Sequence, residues 1–405
     1  MDAGNPTKPK LRRVLGLTSL TLYGLGTIIG AGIYVLVGAV AASAGMAAPL
    51  AFLLAGVMAA FTGLSYAELG QRLPEAAGAA AYAREGFKSH WMGRLTGFMT
   101  LAVALVAAAS VARGGAGYLL PLVDIPLPVA SGTVILFFTA LACWGVKESV
   151  YIAATLTVIE MAGLVIVIAV GAPALGDLGA RLDEMWPTGH PAWLGVMGGA
   201  FLAFFAFAGF ENIVNMAEET RDVGRTLPRA VVLSIIASAI LYMLVILVAV
   251  LNVAPMDLAA SDAPLCEVVD CAKPTMAFFA PIALIATLNG VLIEIVLMAR
   301  VAYGMARRGW LPVSISDVHM TRRTPLKATL AVGTIVFTLT TMVEFEILAK
   351  ITSAMLLCVF FVVNVSLIRL KWADPRTDLA FRVPAWAPVI GAASSVVLLG
   401  AEILA

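Results

Sequence analysis

The chain has 405 residues, of which 61% are hydrophobic and 13% are charged, and its mean hydropathy is +0.97. Soluble domains carry about 25% charged residues, so this composition excludes the soluble enzyme classes. A membrane-spanning helix needs about 20 apolar residues, which leaves room for about ten to twelve spans and none for a separate soluble domain. The net charge of +1 argues against a nucleic-acid partner.

Hydrophobic runs follow one another along the whole chain after a polar, basic segment at residues 1–13. They cover residues 14–42, 47–70, 93–120, 129–146, 150–171, 192–216, 229–253, 275–305, 327–343, 346–370 and 385–404. The first run is too long for the core of a signal peptide, so we expect it to be retained as a helix. This pattern predicts an all-α polytopic membrane protein with about 11 transmembrane helices.

The placement of Lys and Arg predicts the orientation. With a cytoplasmic N-terminal tail at 1–13, most of the 26 basic residues fall in inner segments. Those left for the outer half are Arg113, Arg181, Lys273 and Lys350. Because cytoplasmic loops carry the excess of Lys and Arg, we expect the N-terminus to be cytoplasmic.

Cysteine and histidine give weaker signals. Cys266 and Cys271 share one polar loop, and the sequence leaves open whether they pair, since a disulfide requires an oxidising compartment. The three His are scattered along the chain. This arrangement predicts no metal site.

Two runs contain interruptions. The first run holds glycines at 24, 26, 30 and 32, and the sixth holds Gly209 between aromatic residues and Glu211. The two runs are five spans apart, and paired interruptions of this kind indicate an inverted-repeat transporter with a central site. The halves are predicted at residues 14–171 and 192–370, followed by an additional helix at 385–404.

Unwinding at Gly30, Ala31 and Gly32 would free backbone N–H groups. Such groups at a helix N-terminus suit a carboxylate, and the helix dipole adds to the attraction. The alternative is close helix packing, because Gly26 and Gly30 form a small-xxx-small pattern.

Ionisable side chains inside hydrophobic runs are costly unless they are paired or functional. Glu211 follows the sixth-run interruption, and its alternative is an interfacial position at the inner end. Glu160 lies midway along the fifth run and either takes part in function or is bonded to a helix backbone. Glu294, deep in the eighth run, is either functional or paired with a neighbour such as Asn289. Arg113 either snorkels toward the surface or pairs with a deep Glu.

Several motifs occur in an order and spacing that together carry a family resemblance. They are Gly26–Gly38, Leu64–Leu69, Pro74–Gly78, Ala208–Glu211, Glu218–Arg221 with Thr226–Arg229, and Tyr303–Pro312. From about residue 13 to about residue 395, the sequence resembles the amino acid–polyamine–organocation (APC) superfamily, in particular the bacterial amino acid permeases. The resemblance implies a five-plus-five inverted-repeat transporter fold with broken helices 1 and 6.

The resemblance also implies a site for an amino acid between the two breaks. The expected substrate-binding residues are Ile28, Gly30, Ala31, Gly32, Phe205, Ala208 and Glu294. The N–H groups of Ala31 and Gly32 would hold the carboxylate. The carbonyl groups of residues 28, 205 and 208 would accept the ammonium, and Phe205 would close over the site. Glu294 falls at a position that lines the side-chain pocket in the family.

The candidates for proton coupling are Glu160, Glu211 and Glu294. Glu160 stands where proton-coupled relatives carry Lys and sodium-coupled relatives bind their ion. Met298 and Ala299 lack the hydroxyl groups that bind sodium in the latter. We therefore predict a secondary active transporter that moves amino acids by alternating access with proton coupling. The alternatives are a sodium-coupled symporter and an amino acid/polyamine exchanger that favours cationic substrates, since an acid at 294 attracts them.

We expect no enzyme activity, because no His lies in the core of a span to act as a base or metal ligand. A channel would show a ring of charges or a filter repeat, and the sequence has neither. The predicted partners are an amino acid and the lipid bilayer, with the proton gradient as the energy source and no cofactor. The predicted location is the plasma membrane, of the bacterial inner-membrane type, as a monomer or homodimer.

Overall fold

The structure, a computed structural model, describes residues 13, 15–74, 78–120, 123–144, 150–273, 278–307, 311–317, 325–375 and 378–404. In these ranges the chain is helical almost throughout, and its one β-type pairing is an isolated bridge between Leu15 and Thr220. The N-terminal tail lies largely outside the described residues.

The α-helices are numbered in chain order. They are α1 (Leu17–Ala44), α2 (Ala48–Arg72), α3 (Gly78–Phe87), α4 (His90–Gly117), α5 (Leu127–Trp144), α6 (Val150–Gly171), α7 (Leu178–Met185), α8 (Gly189–Ala206), α9 (Phe210–Val214), α10 (Val223–Asn252), α11 (Pro255–Ala260), α12 (Pro264–Val269), α13 (Phe279–Arg307), α14 (Leu326–Met342), α15 (Phe345–Ala373) and α16 (Trp386–Leu404).

The long helices coincide with the long hydrophobic segments of the sequence. Within the described ranges, eight helical segments are long and apolar enough to cross a membrane, and one of them, Gly32–Arg72, includes parts of two helices. Shorter apolar helices cover Leu17–Gly30, Leu127–Cys143 and Leu326–Met342. Each hydrophobic run predicted from the sequence overlaps one of these helices, and α8 and α9 together occupy the sixth run.

The packing pairs helices that are five spans apart. Helix α1 packs on α8, α2 on α10, α4 on α13, and α5 on α14. Helix α15 packs on α4, and α6 packs on α13. In both pairs, the fifth span of one predicted half packs on the third span of the other. The predicted limits of the two halves, 14–171 and 192–370, stay predictions.

Both interrupted runs are broken helices, as the sequence predicts. Helix α1 leaves helical geometry at Gly30, where φ is −16° and ψ is −120°. Helix α8 ends at Ala206 and α9 begins at Phe210, and between them Gly209 has a φ of 121°. A positive φ of this size is readily adopted by glycine.

Some glycines of α1 also serve close packing, but the predicted packing pair of Gly26 and Gly30 is confirmed only at Gly26, because a Cβ at Gly30 would meet no atom within 4 Å. A Cβ at Gly32 would lie 2.5 Å from the Cα of Ala206, which places the α1 and α8 backbones in direct contact. A Cβ at Gly26 would collide with Thr157 of α6. Packing and chain breaks therefore occur in the same stretch of sequence.

A connection between α10 and α13 covers one end of α1. Leu258 and Leu265 of its short helices are buried, and a Cβ at Gly38 would lie 2.5 Å from the carbonyl oxygen of residue 258. Cys266 and Cys271 form a disulfide in this connection. The structure thus answers the pairing question that the sequence leaves open.

Candidate functional site

The breaks of the first and sixth spans lie against each other. The Thr27 Oγ1 lies 3.0 Å from the carbonyl oxygen of Gly24 and 3.1 Å from that of Gly209. A Cβ at Gly209 would collide with the carbonyl group of Thr27. The chain segments at the two breaks therefore touch through their backbones, and a side chain at 209 would separate them.

Tyr242 on α10 joins the same two breaks from a third helix. Its hydroxyl lies 2.7 Å from the carbonyl oxygen of Ile28 and 3.0 Å from that of Ala206. The ring is fully buried and makes an edge contact with Phe207. The position of one hydroxyl thus fixes the distance between the end of α8 and the residues that precede the break in α1.

The residues expected to hold an amino acid carboxylate lie at the break of α1. Gly30 is the non-helical residue, and Ala31 and Gly32 are the first residues of the helical segment that follows. N–H groups in the first turn of a helical segment lack intrahelical partners. The break therefore lies where the glycine pattern predicts the carboxylate site, and the roles of Ala31 and Gly32 stay predictions.

The carbonyl groups expected to accept an ammonium lie at the same place. Phe205 is in the last turn of α8, is 6% exposed, and its carbonyl accepts a hydrogen bond of 3.0 Å from the Ala208 N–H. Ala208 lies in the gap between α8 and α9. Through Tyr242, the carbonyl of Ile28 is brought next to this gap.

Glu211 and Glu294 belong to this region. The Glu211 Oε2 accepts a hydrogen bond of 2.8 Å from the Gly209 N–H, so this carboxyl group caps the first turn of α9. Glu294 on α13 lies within electrostatic range of Glu211. Its Oε2 is buried and has no hydrogen-bond partner among the described residues. The side chain of Asn289, its expected partner, lies outside them.

Glu160 lies apart from that pair, at the contact of α6 with α1. It is fully buried, and its backbone carbonyl accepts a hydrogen bond of 2.6 Å from the Tyr34 hydroxyl. Its carboxyl group is within electrostatic range of Tyr34 and Tyr242. Since Tyr242 contacts both breaks, the charge state of Glu160 acts electrostatically on a residue that joins them.

Comparison with known proteins decides the family. A profile of the family described as "Amino acid permease" matches residues 15–404. The chain belongs to the amino acid permease family. The permease is 30% identical to the branched-chain amino acid permease BcaP of Bacillus subtilis, over 96% of its own length and 87% of that protein. It is also 30% identical to the vacuolar cationic amino acid transporter 2 of Arabidopsis thaliana, over 90% of its length but 61% of that protein.

The fold is shared with a solved transporter. The structure of MhsT in complex with L-phenylalanine matches with a TM-score of 0.64 at 15% sequence identity, covering 97% of the permease and 99% of MhsT. The matches confirm the APC resemblance and the inverted-repeat fold with broken helices 1 and 6. The permease is a multi-pass membrane protein that transports amino acids, and its relatives are named as permeases and transporters rather than enzymes.

Within the described ranges, Arg113 forms no ion pair with a deep Glu, which is one of the two alternatives that the sequence offers. Its Nη1 donates a hydrogen bond of 2.7 Å to the carbonyl oxygen of Thr340. Thr340 lies in the last turn of α14, where carbonyl groups have no helical partner. In the permease this arginine therefore caps a helix of the other half.

Two features of the permease are not among the predictions made from the sequence. Tyr242 is one aromatic residue in a hydrophobic run, and nothing in its neighbourhood along the chain marks it. The second is an ionic cluster formed by Glu68, Arg72 and Lys371. Glu68 is fully buried and accepts hydrogen bonds from Arg72 Nε at 2.9 Å, Lys371 Nζ at 2.7 Å and the Val383 N–H at 2.8 Å. The sequence signal for this cluster is an acidic residue four positions before an arginine, a spacing that places the two side chains on the same face of a helix.

Proposed function

We propose that the permease is a secondary active transporter that moves an amino acid by alternating access and is coupled to protons. The observation that carries the proposal is the meeting of the two broken helices through Thr27 and Tyr242. In inverted-repeat transporters, the substrate binds where discontinuous helices meet, and one bundle rocks around that site.

The substrate is held by the carboxylate and ammonium groups that all α-amino acids share. The N–H groups of Ala31 and Gly32, following the break at Gly30, bind the carboxylate with help from the helix dipole. The carbonyl groups of Ile28, Phe205 and Ala208 accept hydrogen bonds from the ammonium. These backbone groups recognise every α-amino acid alike, so the choice among amino acids falls to side chains around them.

Glu294 is the side chain that we assign to the substrate side-chain pocket. Its Oε2 is buried without a hydrogen-bond partner in the described part of the chain. A buried carboxyl oxygen gains most from a proton or from a donor on the ligand. Glu294 therefore either accepts the coupled proton or contacts a polar or cationic substrate group.

The coupled proton is carried by one of three carboxyl groups. Glu211 caps the break, Glu294 lies within its electrostatic range, and Glu160 lies beside Tyr34. Glu211 is bonded to the backbone at one break, and the other two act on that region through their charges, so a proton on any of the three would change the electrostatics at the breaks. The proton gradient supplies the energy, and no cofactor takes part.

The experiment is uptake into proteoliposomes under imposed gradients. The purified permease is reconstituted and tested with branched-chain, aromatic and cationic amino acids under a pH gradient, a sodium gradient, or neither. We expect accumulation with an inward proton gradient and none with sodium alone. Uptake that needs sodium and ignores pH would reject proton coupling and favour the sodium-coupled alternative.

A second candidate is an exchanger for cationic amino acids or polyamines. The carboxyl group of Glu294 favours it, as does the similarity to proteins named cationic amino acid transporters. Counterflow with internal arginine or a polyamine tests it, with Glu294→Gln as the variant and Glu184→Gln, at an exposed position on α7, as the control. An unchanged profile of cationic and neutral substrates in the first variant would remove Glu294 from substrate selection.

We propose that the permease resides in the plasma membrane, of the bacterial inner-membrane type, with a cytoplasmic N-terminus. The inner-segment excess of Lys and Arg supports the orientation, and the similarity to BcaP supports the bacterial type of membrane. The unit of transport is one chain, as a monomer or within a homodimer, because both breaks come from the same chain.

A further inference from the structure

A groove of about 470 Å³ lies between the end of α15 and the start of α16, away from the transport site. It is open to the surface. Its lining residues are Lys371, Trp372, Pro375, Arg382, Val383, Pro384 and Ala385. Two spanning helices reach the same face of the membrane here, so the groove lies at the level where lipid headgroups begin.

Exposed tryptophans mark that level. Trp372 in the groove is 81% exposed, and Trp386 at the start of α16 is 56% exposed. Indole rings concentrate at membrane–water interfaces, where the apolar ring and the polar N–H are both accommodated. Farther along α16, Val389 and Ile390 are also exposed and provide an apolar surface toward the bilayer.

The charged lining of the groove is basic. Arg382 is exposed, and Lys371 reaches the groove beside it. The same connection carries Asp374 and Asp378, neither of which lines the groove. A guanidinium and an ammonium that line the same groove match the charge of a phosphate group.

Lys371 uses two of its hydrogen-bond donors within the described part of the chain. Its Nζ donates to Glu68 Oε2 and to the Val383 carbonyl oxygen, each at 2.7 Å. An ammonium group has three donors, and the third has no partner among the described residues, so we assign it to a ligand in the groove. Because Glu68 lies on α2, a ligand bound to this lysine also acts on the junction of α2 with α15 and α16.

We propose that this groove binds the phosphate headgroup of an anionic phospholipid. Arg382 and Lys371 contact the phosphate, the tryptophans hold the glycerol region, and the acyl chains lie along the exposed apolar residues of α16. Basic pockets between spanning helices recognise anionic headgroups in this way. The bound lipid strengthens the ionic cluster by adding a negative group on the outer side of Lys371.

The test measures lipid binding to the purified full-length protein in detergent. Phosphatidylglycerol, phosphatidylcholine and inorganic phosphate are titrated separately, and native mass spectrometry and thermal melting are read out. We expect phosphatidylglycerol alone to bind and to raise the melting temperature. Arg382→Ala should weaken that binding about fivefold, as expected for one basic group at an anionic surface, and Arg382→Lys should retain most of it.

Arg229→Ala is the matched control, since this arginine is also exposed but lies at the start of α10. It should leave phosphatidylglycerol binding unchanged. Equal weakening by Arg229→Ala and Arg382→Ala would mean unspecific charge attraction and would overturn the proposal. Equal stabilisation by phosphatidylcholine, or full stabilisation by inorganic phosphate, would overturn it as well.

Discussion

Thr27 and Tyr242 show how single side chains position the backbone of the site. The hydroxyl of each lies within hydrogen-bond distance of carbonyl oxygens from two different segments, Thr27 between α1 and the gap before α9, and Tyr242 between α1 and α8. Neither contributes a charge. Their role follows from where their hydroxyl groups lie, which the identity of the residue alone does not reveal.

Tyr242→Phe should lower both stability and transport. The change removes a buried hydroxyl bonded to the carbonyl groups of Ile28 and Ala206, and such a loss costs about 1–3 kcal/mol when an acceptor is left buried and unpaired. Thermal melting and initial uptake rates measure the two effects. We expect the KM for the amino acid to rise, because the carbonyl groups proposed to bind its ammonium would shift.

Tyr66→Phe is the control for that substitution. Tyr66 is equally buried, but its hydroxyl has no hydrogen-bond partner within the described ranges. Removing it should leave stability unchanged or slightly higher, since an unpaired buried polar group is lost. If the two variants lose the same stability and transport, the Tyr242 hydroxyl does not hold the breaks.

At the scale of helices, hydrophobicity and glycine predict much of the structure. Long apolar runs define the spans, and clustered glycines locate both breaks, because these are local properties of the sequence. The contact that joins the breaks is not local, since Tyr242 is 214 residues from Ile28 in sequence. Likewise, Glu68 and Arg72 are predictable as neighbours on a helix, but Lys371 is 303 residues away from Glu68.

Gly209→Ala should disrupt the junction of the two breaks. The backbone at 209 has a φ of 121°, and an added Cβ would collide with the carbonyl of Thr27. A residue held in such a conformation costs about 1–3 kcal/mol, and relief requires the breaks to separate. We expect folded protein with strongly reduced uptake, measured in proteoliposomes after confirming its melting transition.

Gly179→Ala provides the comparison. Gly179 lies in α7, and a Cβ there would meet no atom within 4 Å. Alanine favours a helix by about 1 kcal/mol over glycine, so this variant should transport normally and melt at the same temperature or higher. Normal uptake by Gly209→Ala would show that the close approach at 209 is dispensable.

For the whole molecule, the ionic cluster fastens α2 to the connection between α15 and α16. Glu68 accepts from Lys371 and from the Val383 N–H, and Arg72 donates to the carbonyl of Asp374 at 2.9 Å. Helix α2 packs on both α8 and α10. The cluster therefore joins the helices around the sixth-span break to the last two spans.

Glu68→Gln should destabilise the entire fold. It leaves Arg72 and Lys371 without their counter-charge in a buried setting, and breaking a buried pair from one side costs about 3–5 kcal/mol. Glu346→Gln is the matched control, because its ion pair with Lys350 is exposed and is worth about 0–1 kcal/mol. A melting temperature equally insensitive to both changes would contradict a stabilising role for the cluster.

The two hydroxyl groups at the breaks supply only two protons for hydrogen bonds. Each hydroxyl has one proton, yet Thr27 and Tyr242 each face two carbonyl oxygens. Neither hydroxyl can therefore donate to both of its carbonyl oxygens at the same moment. The ammonium group of the proposed substrate would bring three N–H donors to these carbonyl oxygens. A quaternary amine brings none, so we expect the trimethylated form of a transported amino acid to be rejected whatever its side chain.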